Sequence, residues 1–335
     1  MGQDLCITMR RRLTIYTGAL AFVLITVSHL IPTRVYAQNN YTLGGLAGSA
    51  MRMGFGAQGM TMGNSIGALV NGEGLSYYNP AIVAFQAQRT AYVSTGFLPM
   101  DRNLNFLSYT QSMKPAGGFS LAIINAGVSK LEGRNSDGVQ TETYSTSENE
   151  FLFSFGTKIR PDLAIGVSAK ILYYSLFQGV KSTTVGFDLG MLYAVNEEWA
   201  FGLIVGDINS KYKWDTSSLY GQDGNTTIEH FPLRRRLAVC YAPTFFKSRW
   251  SGEIEWIGST WLSRGGLEIP LHENLTIRGG IDQVAFDGSI SAKPSLGFSL
   301  QSPVASWKPV LTYGYIFEPY SAGGIHMLSL TVGFE

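Results

Sequence analysis

Fourteen segments of about ten residues, spread from Gln88 to the end of the chain, constrain the fold more than any other feature of this sequence. They read 88–97, 103–112, 117–127, 149–160, 162–175, 182–194, 198–208, 233–243, 248–257, 263–271, 274–282, 290–300, 307–317 and 325–335. Within them residues alternate with period two. In 163–174 one face carries Leu163, Ile165, Val167, Ala169, Ile171 and Tyr173, and the other Ala164, Gly166, Ser168, Lys170, Leu172 and Tyr174. The next segment sets Val185, Phe187, Leu189, Met191 and Tyr193 against Thr184, Gly186, Asp188 and Gly190. Such alternation signals strands, and a soluble β-sandwich shares it. The links separate the two folds: those at 113–116, 161, 195–197, 244–247, 272–273 and 301–306 are short, whereas 128–148 and 209–232 are long. Short turns at one rim and longer loops at the other, with an even strand number, predict an all-β fold, a transmembrane antiparallel β-barrel of about fourteen strands.

The N-terminus has a different pattern. Arg10-Arg11-Arg12 precedes an apolar run from Ile15 to Val27, and Val35-Tyr36-Ala37 offers small or aliphatic residues for a peptidase. Residues 1–37 read as a cleaved secretory signal, since the run is shorter than the ~20 residues of a spanning helix. The expected organisation is therefore 1–37 signal, 38–87 N-terminal segment, and 88–335 barrel, exported to the outer membrane of a Gram-negative (diderm) bacterium. After the signal only Cys240 remains, so no disulfide framework holds the fold. A net charge of +1 with 15% charged residues argues against nucleic acid as a partner.

On the face opposite the apolar one lie Lys158, Lys170 and Asp188, then Arg234, Arg236, Glu253, Glu255, Glu268, Arg278 and Lys293. Charges of both signs on successive strands predict a paired network crossing the lumen. No nucleophile, base and orienting acid occur together, so the chain reads as noncatalytic, and Glu253 with Glu255 reads as structural. His230, His272 and His326 lie far apart, giving no metal spacing, and no cofactor is expected. Gly54-Phe55-Gly56-Ala57-Gln58-Gly59 has the letters of a dinucleotide loop but follows no strand.

The run "MRMGFGAQGMTMGNSIGALVNGEGLSYYNPAIVAF" resembles the N-terminal signature of the PorV/PorQ family, within the FadL-like outer-membrane barrels. "AIGVSAKILYYS", "VGFDLGMLYAV", "FPLRRRLAVCYAP" and "GIHMLSLTVGFE" extend the resemblance over nearly the whole mature chain. Two departures stand out: Val70-Asn71-Gly72-Glu73 replaces the usual acidic pair, and the chain ends Phe334-Glu335. The resemblance implies that the segment before the first strand plugs the lumen, with Gly63, Gly67, Gly72 and Gly74 allowing close approach and Asn79-Pro80 setting the entry into the wall. It also implies a noncatalytic component of type IX secretion, in contact with outer-membrane lipid, secreted cargo proteins and secretion-system subunits. The FadL side of the resemblance implies instead a channel for hydrophobic small molecules. In the loop 209–232, Tyr212, Trp214 and Tyr220 serve either as a partner-binding patch or as packing onto the rim.

Overall fold

β-branched and aromatic residues at alternate positions make extended pairing the favoured state from Arg89 onward, and the chain runs up and down with neighbour pairing throughout. The computed structural model describes residues 45–177, 179–285, 290–302, 307, 309–319, 321 and 323–334. The secretory-signal reading of residues 1–37 lies outside them. The strands are β1 (Arg89–Leu98), β2 (Arg102–Met113), β3 (Gly117–Arg134), β4 (Gln140–Arg160), β5 (Leu163–Phe177), β6 (Val180–Ala194), β7 (Trp199–Ile208), β8 (Lys211–Asp215), β9 (Thr226–His230), β10 (Arg234–Tyr241), β11 (Arg249–Ile257), β12 (Thr260–His272), β13 (Leu275–Ala285), β14 (Lys293–Gln301), β15 (Val310–Ile316) and β16 (Ile325–Phe334). Fourteen of them form a closed antiparallel barrel, sealed by β1 against β16 from Arg89↔Phe334 to Phe97↔His326. Closure leaves the sheet without a free edge.

Each segment read as a strand is one. The two long links differ from expectation. Most of 128–148 is strand, because β3 and β4 stay paired beyond the other strands, out to Arg134↔Gln140. Alternating Thr, Tyr, Val and charged residues allow such an extension in water, where the exposed ribbon needs no apolar face. The link 209–232 carries the separate hairpin β8–β9 with the short helix Ser217–Tyr220 between its strands.

Apolar side chains face out. Leu107, Ile123, Phe151, Ile171 and Val185 form one row in direct cross-strand register and are each 42–52% exposed. Their inward neighbours Ser108, Ala122, Leu152, Lys170 and Leu172 are buried. A soluble sandwich buries its apolar face, so this inside-out distribution is that of a wall facing lipid. The adjoining outward row is polar and bonded to itself: Thr95 donates to Asn105 (2.8 Å), Asn105 to Asn125 (3.3 Å) and Asn125 to Asn149 (2.8 Å). That ladder satisfies amides that would otherwise be costly next to apolar surroundings.

Residues 50–85 run inside the barrel as four short pieces, the 3-10 turns Ala50–Arg52, Leu75–Tyr77 and Pro80–Phe85 and the α-helix Ala57–Thr61. Nearly all of them are buried, and the main apolar core is formed between this segment and the inward faces of the strands.

Candidate functional site

The interior of the barrel holds the residues that carry chemistry, and they fall into two charge clusters. On β4 to β7, Lys170 Nζ lies 2.9 Å from Asp188 Oδ2, 2.9 Å from Asp207 Oδ1 and 3.6 Å from Glu150 Oε1. On β10 to β13, Arg264 is the hub, at 3.2 Å from Glu253, 2.5 Å from Glu255 and 2.5 Å from Asp282. Arg234 reaches Glu255 at 2.5 Å and Arg236 reaches Glu253 at 3.5 Å. Glu268 then joins Arg278 and Arg249, both at 2.5 Å. Desolvating so many charges is tolerable only because each meets an opposite charge at contact distance.

Two of the expected lumen charges make their contacts near the rims. Lys158 places its ammonium 4.3 Å from the centroid of Phe85, near the rim where β1 begins, as a cation–π contact. Lys293 pairs with Glu318 at 3.1 Å near the opposite rim, and stands in cross-strand register with Asp282 at the edge of the second cluster. Conversely, sequence reasoning passed over Arg264, Glu150 and Asp282, although each shares its strand parity with a residue that was named: Glu268, Lys158 and Arg278. Asp207 carried no such signal. It would face outward by strict alternation, but its φ of +62° breaks the β6–β7 register and turns the carboxylate inward, where its own N–H donates to Asp188 (2.8 Å).

The inner segment is docked onto this charged wall. Gln58 donates to Glu268 (3.0 Å), Asn64 to Asp282 (2.8 Å), and Arg236 to the carbonyl of Tyr78 (2.6 Å). Asn79 accepts from the N–H of Ala81 (3.0 Å) as the cap of Pro80–Phe85, while its amide donates to Gly67 O (2.8 Å) and Met191 O (3.2 Å). With Pro80 opening that turn, Asn79 begins a helical piece laid across β3 to β6, in place of a simple corner. Gly63 has φ +61° and lies so close to the wall that a Cβ there would sit 2.6 Å from Gly265 O; only glycine fits both demands. Gly67 sits against Glu253 and Ile204, Gly72 against Gln58 and Leu69, and Gly74, with φ +59°, against Phe106 and Tyr92. Glu73 accepts from Thr312 (3.2 Å) and its N–H donates to Gln58 (2.7 Å), so the acidic position is tied into the dock.

Above Ser49–Met53, toward the rim where β1 ends, opens a cavity of about 710 Å³. Leu98 and Leu104 on β1 and β2, and Ile257 and Leu262 across the barrel on β11 and β12, give it apolar surface, interspersed with charged Arg102, Glu148, Arg264 and Lys293. The β8–β9 hairpin leans into this mouth. Tyr212 is 3% and Trp214 9% exposed; they pack on Tyr174 at ring separations of 5.2 and 5.3 Å, and the Tyr212 hydroxyl donates to Glu148. The partner-patch reading of these two rings is thereby corrected: cross-strand aromatic packing over the mouth outweighs exposure. Tyr220, at 63%, is exposed on the link between the hairpin strands. Among the described residues no cluster of three His, Cys, Asp or Glu is arranged to hold a metal ion.

The protein is a closed barrel, apolar outside, charge-lined inside and holding its own N-terminal segment, and solved structures share its fold. No protein-family model and no curated protein matches the sequence. A Pseudomonas aeruginosa FadL homologue is similar over 83% of this chain and 98% of its own, with a TM-score of 0.61 at 10% identity. The TodX monoaromatic hydrocarbon channel (deltaS2 mutant) covers 83% and 96%, with 0.57 at 12%, and the CymD monoaromatic hydrocarbon channel 84% and 97%, with 0.55 at 11%. The structural neighbours are thus FadL-family outer-membrane barrels, and at such identities the likeness is one of fold.

Proposed function

We propose that this chain is a noncatalytic outer-membrane barrel of a Gram-negative bacterium that passes a hydrophobic small molecule, with residues 50–85 as the plug. The supporting observation is the position of the cavity. It lies directly over the docked segment, with Leu98 and Leu104 on one wall and Ile257 and Leu262 on the wall across from them, in a barrel whose fold is that of named hydrocarbon channels. Apolar surface on facing walls, with polar groups between to orient a ligand, suits a small hydrophobic molecule. In this reading the ligand enters from the outer rim, and onward passage needs the plug to shift from the charged wall. Type IX secretion, implied by the PorV/PorQ resemblance, has the sequence motifs in its favour, but its cargo surface loses Tyr212 and Trp214, which are buried. The channel reading therefore takes precedence.

The test is uptake of a radiolabelled monoaromatic hydrocarbon, and of a long-chain fatty acid, by cells with and without the gene. Faster uptake with the gene, lost in Leu104→Arg while heat-modifiable gel migration still reports an assembled barrel, is the expected result. Equal uptake of both compounds, together with lost surface release of secreted proteins in the deletion, would overturn the proposal.

A further inference from the structure

The turn between β10 and β11 presents an arrangement that neither the lumen nor the channel reading uses. Phe245 is 85% exposed and Phe246 47%, followed by exposed Lys247. The turn is braced. Glu198 Oε1 accepts from the N–H (3.0 Å) and hydroxyl (2.8 Å) of Thr244, Ala242 N–H donates to Glu198 O (2.7 Å), and Pro243 and Ser248 are buried on either side. Two phenyl rings are held out by a fixed backbone.

Directly along the wall from them runs an aromatic belt. Tyr241 stands in register with Trp199 on one side and Trp250 on the other. Trp199 stacks on Tyr241 with centroids 4.3 Å apart and lies 6.2 Å from Phe201. Trp199, Phe201 and Trp250 are 39–49% exposed on the outward face, and the Trp250 indole N–H donates to Ser248 (3.0 Å). Rings with an apolar body and a polar tip gather where hydrocarbon meets headgroup. The exposed phenyls sit on the turn that joins Tyr241 to Trp250, Phe245 four residues after the first and Phe246 four before the second.

We infer that the β10–β11 turn is a lipid anchor: Phe245 and Phe246 insert at the headgroup–acyl boundary of the periplasmic leaflet, with Lys247 facing the anionic phosphates of phospholipid. The inference rests on the outer-membrane reading. Lipid is favoured over a periplasmic protein because the phenyls sit on the turn between the belt residues Tyr241 and Trp250, and because the adjoining cation complements a phosphate layer. An anchor on this sector would hold that rim at a set depth while the interior moves.

The full chain, in a Cys240→Ser background, is reconstituted into phosphatidylethanolamine/phosphatidylglycerol vesicles with a nitroxide label at Phe245→Cys, and the label's collision rates with oxygen and with a water-soluble nickel chelate are measured. Leu189→Cys on the outward wall and Thr143→Cys on the β3–β4 ribbon serve as lipid and water references. The expected result is a shift at position 245 toward oxygen, close to the Leu189 reference, repeated at Phe246→Cys. Chelate access equal to that at Thr143, with Leu189 still in lipid, overturns the anchor and leaves a periplasmic protein as the occupant of the patch. If Leu189 itself reads as aqueous, the membrane placement fails first, and the anchor with it.

Discussion

Strand β5 and the inner segment 50–85 satisfy their backbones in different ways. β5 is paired on both sides, to β4 from Ser147↔Ser175 to Arg160↔Leu163 and to β6 from Leu163↔Tyr193 to Phe177↔Val180, so its main chain is saturated by regular ladders. The inner segment has only single helical turns, and much of its docking runs through side chains: Tyr92 and Ser329 both accept from Ala57 N–H, and Asn79 binds Gly67 O and Met191 O. The wall is therefore tolerant of sequence as long as the alternation holds. The inner segment depends on particular atoms. Barrel stability and the docking of the inner segment can accordingly be perturbed apart from each other, which the proposed plug role requires.

The largest effect is expected where the two regions share a support. Removing the carboxylate in Glu255→Ala leaves Arg234 and Arg264 short of an anion in the interior, which should cost about 3–5 kcal/mol. Urea unfolding of the vesicle-inserted protein measures it; a loss under about 1 kcal/mol would mean that water reaches the cluster. Next comes the wall alone: Leu189→Arg on the outward face should destabilise by up to about 2–4 kcal/mol in lipid and leave the inner contacts unchanged. Its inward neighbour Gly190 is no permissive control, because a side chain there would meet Asn79 and come within 2.9 Å of Pro80.

The inner segment alone is reached through the wall glycines. In Gly202→Val the new Cβ would sit 2.5 Å from Gly67 O, and relieving that overlap should cost about 1–3 kcal/mol. Protease cleavage within 50–85, while heat-modifiable migration of the barrel persists, is the expected readout; simultaneous loss of both would show that wall and plug form one cooperative unit. Asn79→Ala, which removes a cap and two further bonds, should have a smaller effect of about 1–2 kcal/mol, seen as faster amide exchange at Ala81 and Ile82. The smallest concerns the brace at the rim. The Thr244 N–H and then its hydroxyl hold the Glu198 carboxyl below the usual glutamate range. A lowered folded-state pKa means that the brace is complete above the ordinary glutamate value and is lost as pH falls through the depressed one, so the protection of Thr244 N–H relative to its intrinsic exchange rate should fall only on acidification. No change with pH would remove Glu198 from that role.

How far the sequence could be read follows the same division. Every wall strand was legible because period two is a local property: the side-chain face is set residue by residue along the strand. The faces of Lys170 and Asp188 followed from it, and Arg264 was within reach by the same parity. What lay beyond was non-local. Gln58 meets Glu268 across 210 residues, and Asn64 meets Asp282 across 218, contacts that exist only once the barrel has closed around the segment. Asp207 faces inward because one left-handed residue changes the register, and nothing in the string of letters marks that residue. Tyr212 and Trp214 look like surface aromatics on a polar loop until the hairpin leans over the mouth and covers them. Alternation determined the strands and the two faces of each, and the link lengths set the barrel apart from a sandwich; ring closure, by bringing distant strands around a segment without a period of its own, decided which charges meet, where the cavity lies and what holds the inner segment in place.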